Sequence, residues 1–153
     1  QGIKTYVAMF EDFRGILPPL QNIFLVRSFN HLIDPAGFIT WSHRQLSPKG
    51  KLVIMVIDFV EACRRRGILK TQIDHPYMFT QKTLTSFLRS GGFGVEYNVI
   101  DGDYVYLVAK KENRAPFSQL AIDPGAYRDA ERSLARGRLW LHHQFNKLFG
   151  LRK

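Results

Sequence analysis

The sequence predicts an α/β fold in which a mostly parallel sheet ends in an antiparallel hairpin. Two continuously apolar runs, Ile23–Val26 and Leu52–Ile57, are typical of strands that are covered on both faces. A helix-length segment separates them, which favours a right-handed parallel crossover. The alternating run Phe93–Val99, the turn signal Asp101-Gly102 and the returning run Tyr104–Ala109 together predict the hairpin.

Local signals predict the elements of the amino-terminal third. Thr5–Phe10 is rich in strand-forming residues and predicts a first core strand. Asp34 and Pro35 supply an N-cap and a first-turn proline for a helix that runs to about Leu46. The segment Pro48–Gly50 then predicts a turn before the second apolar strand.

The remaining helices follow from capping residues and apolar spacing. Phe59–Arg66 predicts a short helix, and Thr80 predicts the N-cap of another helix that Gly91 ends. Two further helices are expected at about Tyr127–Arg136 and Leu139–Phe149. We therefore expect a domain over residues 1–111 and a basic helical extension over residues 112–153.

Composition bounds the class of protein. The chain has 153 residues, 45% of them hydrophobic, which fits one globular domain rather than disorder. Cys63 is the only cysteine, so no intrachain disulfide can form and a reducing compartment is expected. No signal peptide and no membrane-spanning run are visible, so the cytoplasm is the expected location. Because the chain starts with Gln1 and enters a predicted strand at once, we expect a processed or truncated domain.

The order of these segments resembles the carboxyl-terminal part of a class I S-adenosylmethionine-dependent methyltransferase, whose Rossmann-like sheet ends in such a hairpin. The resemblance spans about Thr5–Lys110 and rests on Ser28–Pro35, Leu46–Lys51, His75–Thr80 and Gly91–Phe93. It implies S-adenosylmethionine as the cofactor, with an incomplete site. The family's glycine-rich cofactor turn has no counterpart in this sequence. The glycine-rich stretch Gly91–Gly94 does not replace it, because this stretch follows a predicted helix and leads into a predicted strand.

The resemblance also implies which residues touch the cofactor. Family members commonly place an acid that contacts adenine after the predicted first strand; Met9 stands where that acid would most simply align, which leaves Glu11 or Asp12 as its replacement. Ser28, Phe29 and Asn30 would bind the cofactor, and Phe29 and Asn30 would wall the boundary between cofactor and acceptor. The alternative for the two acids is that they are ordinary loop residues, since acids are common in turns.

Two histidines are the candidate catalytic residues. His31 lies just past the carboxyl end of a predicted parallel strand, the edge at which open α/β sheets bind ligands. Methyl transfer needs alignment of the oxygen nucleophile with the methyl group. A hydroxyl nucleophile also needs a base, and histidine suits this role near neutral pH. His75 is the second candidate. The alternative for His31 is that it only caps or hydrogen-bonds the loop before the helix. The alternative for His75 is that it belongs to an ordinary N-cap region of the next helix.

Four further residues are candidates for substrate binding: Asp58, Asp74, Tyr77 and Phe79. Asp74 would orient the His75 imidazole, and the two aromatic rings would wall an acceptor pocket. Asp58 ends the second apolar strand, where it contacts the acceptor or caps the following helix. The alternative for Phe79 is a hydrophobic staple against Leu84. No cluster of residues has the spacing of a metal site.

The expected partner is a small-molecule or glycan acceptor. The tail carries an apolar stripe that includes Trp140 and Phe145, so it packs on its own domain, on a sister subunit or on an anionic membrane surface. The net charge of +9 would also suit nucleic acid, but no accompanying recognition motif is present. The alternatives to a methyltransferase are a degenerate binding or assembly module and, more weakly, an RNA-binding or RNA-methylating domain.

Overall fold

The structure is a computed structural model that describes residues 5–13, 17–66 and 75–118 and six helical or flanking positions between 125 and 136. Its regular elements follow one another along the chain in this order: β1 (Leu20–Val26), a 3₁₀ turn (Phe29–His31), α1 (Pro35–Gln45), β2 (Leu46–Ile57), α2 (Phe59–Arg66), α3 (Gln81–Ser90), β3 (Phe93–Asp101) and β4 (Tyr104–Lys111).

The four strands form one sheet in the order β1-β2-β4-β3. β1 pairs with β2 in parallel, and β4 is antiparallel to both β2 and β3. Three of the four strands therefore point in one direction, and only β4, the second strand of the hairpin, opposes them. The predicted α/β class, the parallel crossover and the terminal hairpin are confirmed.

Side-chain caps fix the starts of the two helices that precede β2 and β3. The Asp34 carboxylate accepts from the Gly37 backbone N–H at 2.8 Å, and Pro35 occupies the first turn of α1. Thr80 caps α3 through a reciprocal pair of bonds, in which the side chains of Thr80 and Thr83 each accept from the other's backbone N–H. These predicted caps are confirmed.

The core lies between one face of the sheet and helices α1 and α3. Inward-facing residues alternate along the strands with outward-facing ones, as the pleat requires. Burying each large side chain completely stabilises the fold by about 1.5–3 kcal/mol. The fully buried residues of this core include Phe29, Ile39, Leu52, Ile54, Leu84, Leu88, Phe93, Val105, Leu107 and Ala109.

The opposite face of the sheet is apolar but partly open to solvent. On β1, Phe24 is 65% exposed and Val26 is 61% exposed, whereas their neighbour Leu25 is 6% exposed. On the hairpin, Tyr97 and Val99 are also exposed. The apolar run of β1 was predicted to be covered on both faces, and this prediction is wrong for the outer face.

The prediction of a strand at Thr5–Phe10 is also wrong. Backbone bonds from Asp12 N–H to the Met9 carbonyl and from Phe13 N–H to the Phe10 carbonyl make turns there. A strand needs a neighbouring strand to satisfy its backbone, and among the described residues none pairs with this segment. Phe10 instead anchors it to α1, with ring centroids 5.2 Å from Phe38.

The predicted turn at Pro48–Gly50 lies inside β2, which starts at Leu46. Leu46 pairs with Leu20, and the register shifts between Leu20 and Asn22 of β1. A side chain at Gly50 would place its Cβ 2.9 Å from the Leu20 carbonyl oxygen. Glycine at position 50 therefore allows β1 and β2 to lie close together, and it does not form the predicted turn.

The carboxyl-terminal region is described only in part. Arg128, Glu131, Arg132, Ala135 and Arg136 are helical, as the first predicted extension helix requires. The second predicted helix, over residues 139–149, lies outside the described residues. The boundary between residues 1–111 and 112–153 stays a prediction. Within the described part of the chain, no helix is long and apolar enough to span a membrane.

Candidate functional site

The candidate site lies at the carboxyl edge of β1 and β2. Because these strands are parallel, the loops that follow them leave the sheet on the same side. Directly after β1, Arg27 adopts a left-handed backbone conformation with φ of 56°, and its N–H donates to the Met55 carbonyl at 2.8 Å. The chain then turns into the short 3₁₀ segment that ends at His31. Such strained backbone is often found where a loop is held for function.

A second loop, His75–Thr80, packs against this first one. Its Tyr77 hydroxyl donates to the Ile33 carbonyl at 3.1 Å. Phe79 forms an isolated parallel bridge with Asp58, and the Phe59 N–H donates to the Phe79 carbonyl at 2.8 Å. The loop before α3 is therefore fixed both to the end of β2 and to the loop after β1.

This packing brings the two candidate catalytic histidines together. The ring centroids of His31 and His75 are 4.4 Å apart, and the rings are nearly perpendicular, at 78°. His31 is exposed and His75 is half-buried. An imidazole accepts on one nitrogen and donates on the other when neutral. The site therefore places one exposed imidazole beside a second imidazole that packs against it.

Aromatic rings from the same two loops pack against one another. Tyr77 and Phe79 are stacked, with centroids 6.3 Å apart, and Tyr77 keeps 38% of its surface exposed. Phe29 is fully buried, and its ring lies 5.2 Å from Phe79. The structure thus gives Phe29 a place in the core beneath both loops, and its predicted contact with a cofactor stays a prediction.

Asp58 is 1% exposed and holds two helix starts. One carboxylate oxygen accepts from the Glu61 N–H at 3.0 Å in the first turn of α2, and the other accepts from the Gln81 N–H at 2.6 Å at the start of α3. Of the two roles predicted for Asp58, the structure shows the capping one. Contact with a substrate stays a prediction.

The other predicted cofactor residues differ in exposure. Glu11 is half-buried and Asp12 is exposed, in the segment that Phe10 anchors to α1. Ser28 is exposed and its side chain makes no capping bond to the 3₁₀ turn, whereas Asn30 is 4% exposed. The hydroxyl of Ser28 and the carboxylate of Asp12 are therefore the predicted groups most accessible to a ligand.

Gly92, just before β3, and Gly94, within β3, do not form a cradle for S-adenosylmethionine. A Cβ added at Gly92 would lie 2.7 Å from the Arg114 carbonyl oxygen, and one added at Gly94 would lie 2.5 Å from Glu112 Oε1. These glycines are thus packed against the chain that follows β4. Among the described residues, these glycines therefore do not fit the methionine end of the cofactor.

Asp74 lies outside the described residues, so its predicted role remains a prediction. Among the described residues, no three histidine, cysteine, aspartate or glutamate side chains are grouped as a metal site requires. Cys63 is buried, and burial, with a smaller contribution from Asp58, raises the pKa of its thiol. It is therefore a poor nucleophile and packs as a small apolar residue.

The sequence did not predict a basic cavity of about 270 Å³ that lies next to the loop containing Phe79. Lys82, Arg132 and Arg136 contribute to its wall, as does Thr80 from the loop described above. The spacing of Arg132 and Arg136, four residues apart on a predicted helix, is the signal that places them on one face.

No protein-family model and no curated protein matches the sequence. Solved structures do match. One, from the complex between the Haloferax volcanii Trm112 methyltransferase activator and a methyltransferase, is 12% identical with a TM-score of 0.56, over 70% of this chain and 60% of that chain. The chain has a class I methyltransferase fold.

A second match with this methyltransferase fold is an O-methyltransferase family protein from Burkholderia thailandensis. It is 14% identical, with a TM-score of 0.52, and the alignment covers 72% of this chain and 35% of that chain. The chain therefore spans 60% and 35% of the lengths of these two proteins. The resemblance that the sequence shows to this fold is confirmed.

Proposed function

We propose that this chain is the carboxyl-terminal part of an S-adenosylmethionine-dependent methyltransferase that acts on a hydroxyl of a small molecule or glycan. The observation that carries the proposal is the contact between His31 and His75 at the carboxyl edge of the sheet, on a methyltransferase fold. Open α/β sheets bind their ligands at this edge. The rest of the cofactor site would come from residues that this chain does not supply.

When bound, S-adenosylmethionine supplies the methyl group. The residues of this chain bind and orient the acceptor. His31, the more exposed imidazole, takes the proton of the acceptor hydroxyl, and His75 holds the His31 ring in position by packing edge to face. Tyr77 and Phe79 form an apolar wall that excludes water from one side of the acceptor.

The proposal is tested in the longest native form of the protein that contains this sequence. Methyl transfer to a panel of phenols, sugars and hydroxy acids is measured for the wild type, His31→Gln and His75→Gln. Because general-base catalysis contributes roughly 10²–10⁴-fold, we expect His31→Gln to lower kcat by that factor with little change in KM for the cofactor. We expect His75→Gln to lower kcat about tenfold, through loss of positioning.

His43→Gln is the matched control, because His43 lies on α1 and bonds to the Glu112 carbonyl, away from the candidate site. It is expected to retain the wild-type kcat. Full activity in His31→Gln contradicts the assignment of the base. Transfer to nitrogen acceptors only contradicts the proposed acceptor class.

One observation favours a second candidate function, a non-catalytic assembly module. Among the described residues, β1 pairs only with β2, so its other edge is open, and Phe24 and Val26 expose apolar surface beside that edge. Open apolar edges invite pairing with another chain. Sedimentation and methyl-transfer assays of the wild type and of Phe24→Glu distinguish the two candidate functions. Phe24→Glu should abolish association with the partner chain if the chain is an assembly module, and it should leave kcat unchanged if the chain is part of an enzyme.

A further inference from the structure

A cavity of about 270 Å³ lies beside the candidate site at the carboxyl end of β2 and β3. Its lining includes the buried Asp58 after β2, Ile100 of β3, and Thr80 and Gln81 at the start of α3. The helical residues Arg132 and Arg136, both exposed, also line it. The cavity adjoins the predicted acceptor loop, because Thr80 directly follows Phe79.

The charges that line this cavity leave it positive. Lys82, Arg132 and Arg136 contribute three cations, and Asp58 and Glu61 contribute two carboxylates. Both carboxylates are already engaged. Asp58 accepts from two backbone N–H groups.

Glu61 Oε2 is paired on its own helix, because it accepts from the guanidinium of Arg64 and lies 3.5 Å from Arg65 Nε. Within the described part of the chain, neither Arg132 nor Arg136 has a carboxylate within ion-pair distance, and both are exposed. Their guanidinium groups therefore remain available to a ligand.

We propose that this cavity binds the phosphate group of a small phosphorylated ligand. Guanidinium groups match the geometry of phosphate oxygens and form two parallel bonds to them. Two arginines on successive helical turns, with a lysine nearby, favour a doubly charged group over a single carboxylate. The cavity is too small for an extended polymer track, and it has space for a phosphate with a few attached atoms.

The proposal concerns binding and does not depend on methyl transfer. Inorganic pyrophosphate and glucose 1-phosphate are titrated calorimetrically into the 153-residue chain without any cofactor. We expect saturable binding of both, no binding of glucose, and a loss of affinity of about tenfold or more in R132Q/R136Q, since two charge-assisted contacts are removed.

The matched control is R44Q/K49Q, which removes the same net charge from two exposed positions outside the cavity. It should retain the wild-type affinity. Circular dichroism and thermal unfolding establish that each variant is folded. An additional variant, Lys82→Gln, keeps both arginines and should weaken binding by a smaller factor.

Three results overturn the proposal. The first is no saturable binding of either phosphate compound by the folded wild type. The second is equal weakening in R132Q/R136Q and R44Q/K49Q, which shows attraction by net charge alone. The third is binding of a single-stranded RNA 20-mer that is lost in R132Q/R136Q and that neither phosphate compound displaces, which assigns the basic surface to a polymer.

Discussion

Replacing Asp58 tests how the carboxyl edge of the sheet is held together. Its two carboxylate oxygens accept from the backbone N–H groups of Glu61 and Gln81, so one side chain caps two helices. An N-cap contributes about 1 kcal/mol and up to about 2 kcal/mol. Hydrogen bonds to a charged acceptor contribute about 1.5–3 kcal/mol each. We therefore expect Asp58→Ala to lower the free energy of unfolding by about 3–4 kcal/mol.

Asp58→Asn separates the two bonds. Its amide retains one carbonyl acceptor and turns a donor towards the second backbone N–H, so about half of the loss, about 1–2 kcal/mol, is expected. The assay is urea unfolding monitored by tryptophan fluorescence. Trp41 is a suitable probe because it packs against Phe38 in the described core. Asp101→Asn, an exposed carboxylate at the end of β3, is the control and should change stability by less than about 0.5 kcal/mol.

A free energy of unfolding for Asp58→Ala within about 0.5 kcal/mol of the wild-type value would contradict the double capping role of Asp58. A result in which Asp58→Asn keeps full stability but loses acceptor binding contradicts the capping role and favours the role of substrate contact. If both stability and binding fall together, the loop that carries His75 depends on the two helix starts for its position.

Three further predictions concern the glycine after α3, the hairpin turn and His43. Gly92 and Gly102 both have positive φ, but a Cβ at Gly92 would lie 2.7 Å from the Arg114 carbonyl oxygen, whereas a Cβ at Gly102 would meet no atom within 4 Å. We expect Gly102→Ala to lower the free energy of unfolding in urea by about 1–2 kcal/mol and Gly92→Ala to lower it clearly more. Equal losses of stability in the two variants would contradict the close packing around Gly92. Burial lowers the pKa of His43, whose Nε2 bonds to the Glu112 carbonyl. The stability that His43 contributes is therefore complete above its ordinary pKa of 6.5 and is lost as the pH falls through 6.5 towards the lower folded-state pKa. The difference in unfolding free energy between the wild type and His43→Gln should shrink on acidification, and a pH-independent difference would contradict the burial argument.

The elements that sequence reasoning predicts well are those with strong local signals. Leu52–Ile57 is a continuous apolar run, and in β2 its residues alternate between buried and half-buried. The caps Asp34 and Thr80 are short-range devices that sequence spacing alone reveals. The hairpin is predicted by its alternation and by the glycine of its turn. In each case the physical cause lies within a few residues.

The failures have long-range causes. Thr5–Phe10 has strand-forming residues, but strand formation depends on a pairing partner that the local sequence cannot provide. Gly50 is a turn residue by composition, yet it lies in a strand because the Leu20 backbone passes close to it. Local propensity cannot separate these cases, since the deciding contact is with a distant segment.

The sequence predicts candidate residues, whose roles stay predictions, but not their geometry. His31 follows a predicted strand and His75 precedes a predicted helix, and neither position predicts that the two rings lie 4.4 Å apart. The Tyr77 hydroxyl, which bonds to the Ile33 carbonyl, links the two loops. The burial of Phe29 beneath the loops likewise follows from tertiary packing. The basic cavity was missed because Lys82 and Arg132 are brought together only by the fold.

The central claim is that this fold belongs to part of an S-adenosylmethionine-dependent enzyme. The most direct test is calorimetric titration of S-adenosylhomocysteine into the longest native form of the protein and, in parallel, into the 153-residue chain. We expect saturable binding by the longer form and much weaker or no binding by the 153-residue chain, because Gly92 and Gly94 among its described residues are packed against the segment after β4. Absence of binding by both forms would contradict the proposed methyl transfer and would favour the assembly module.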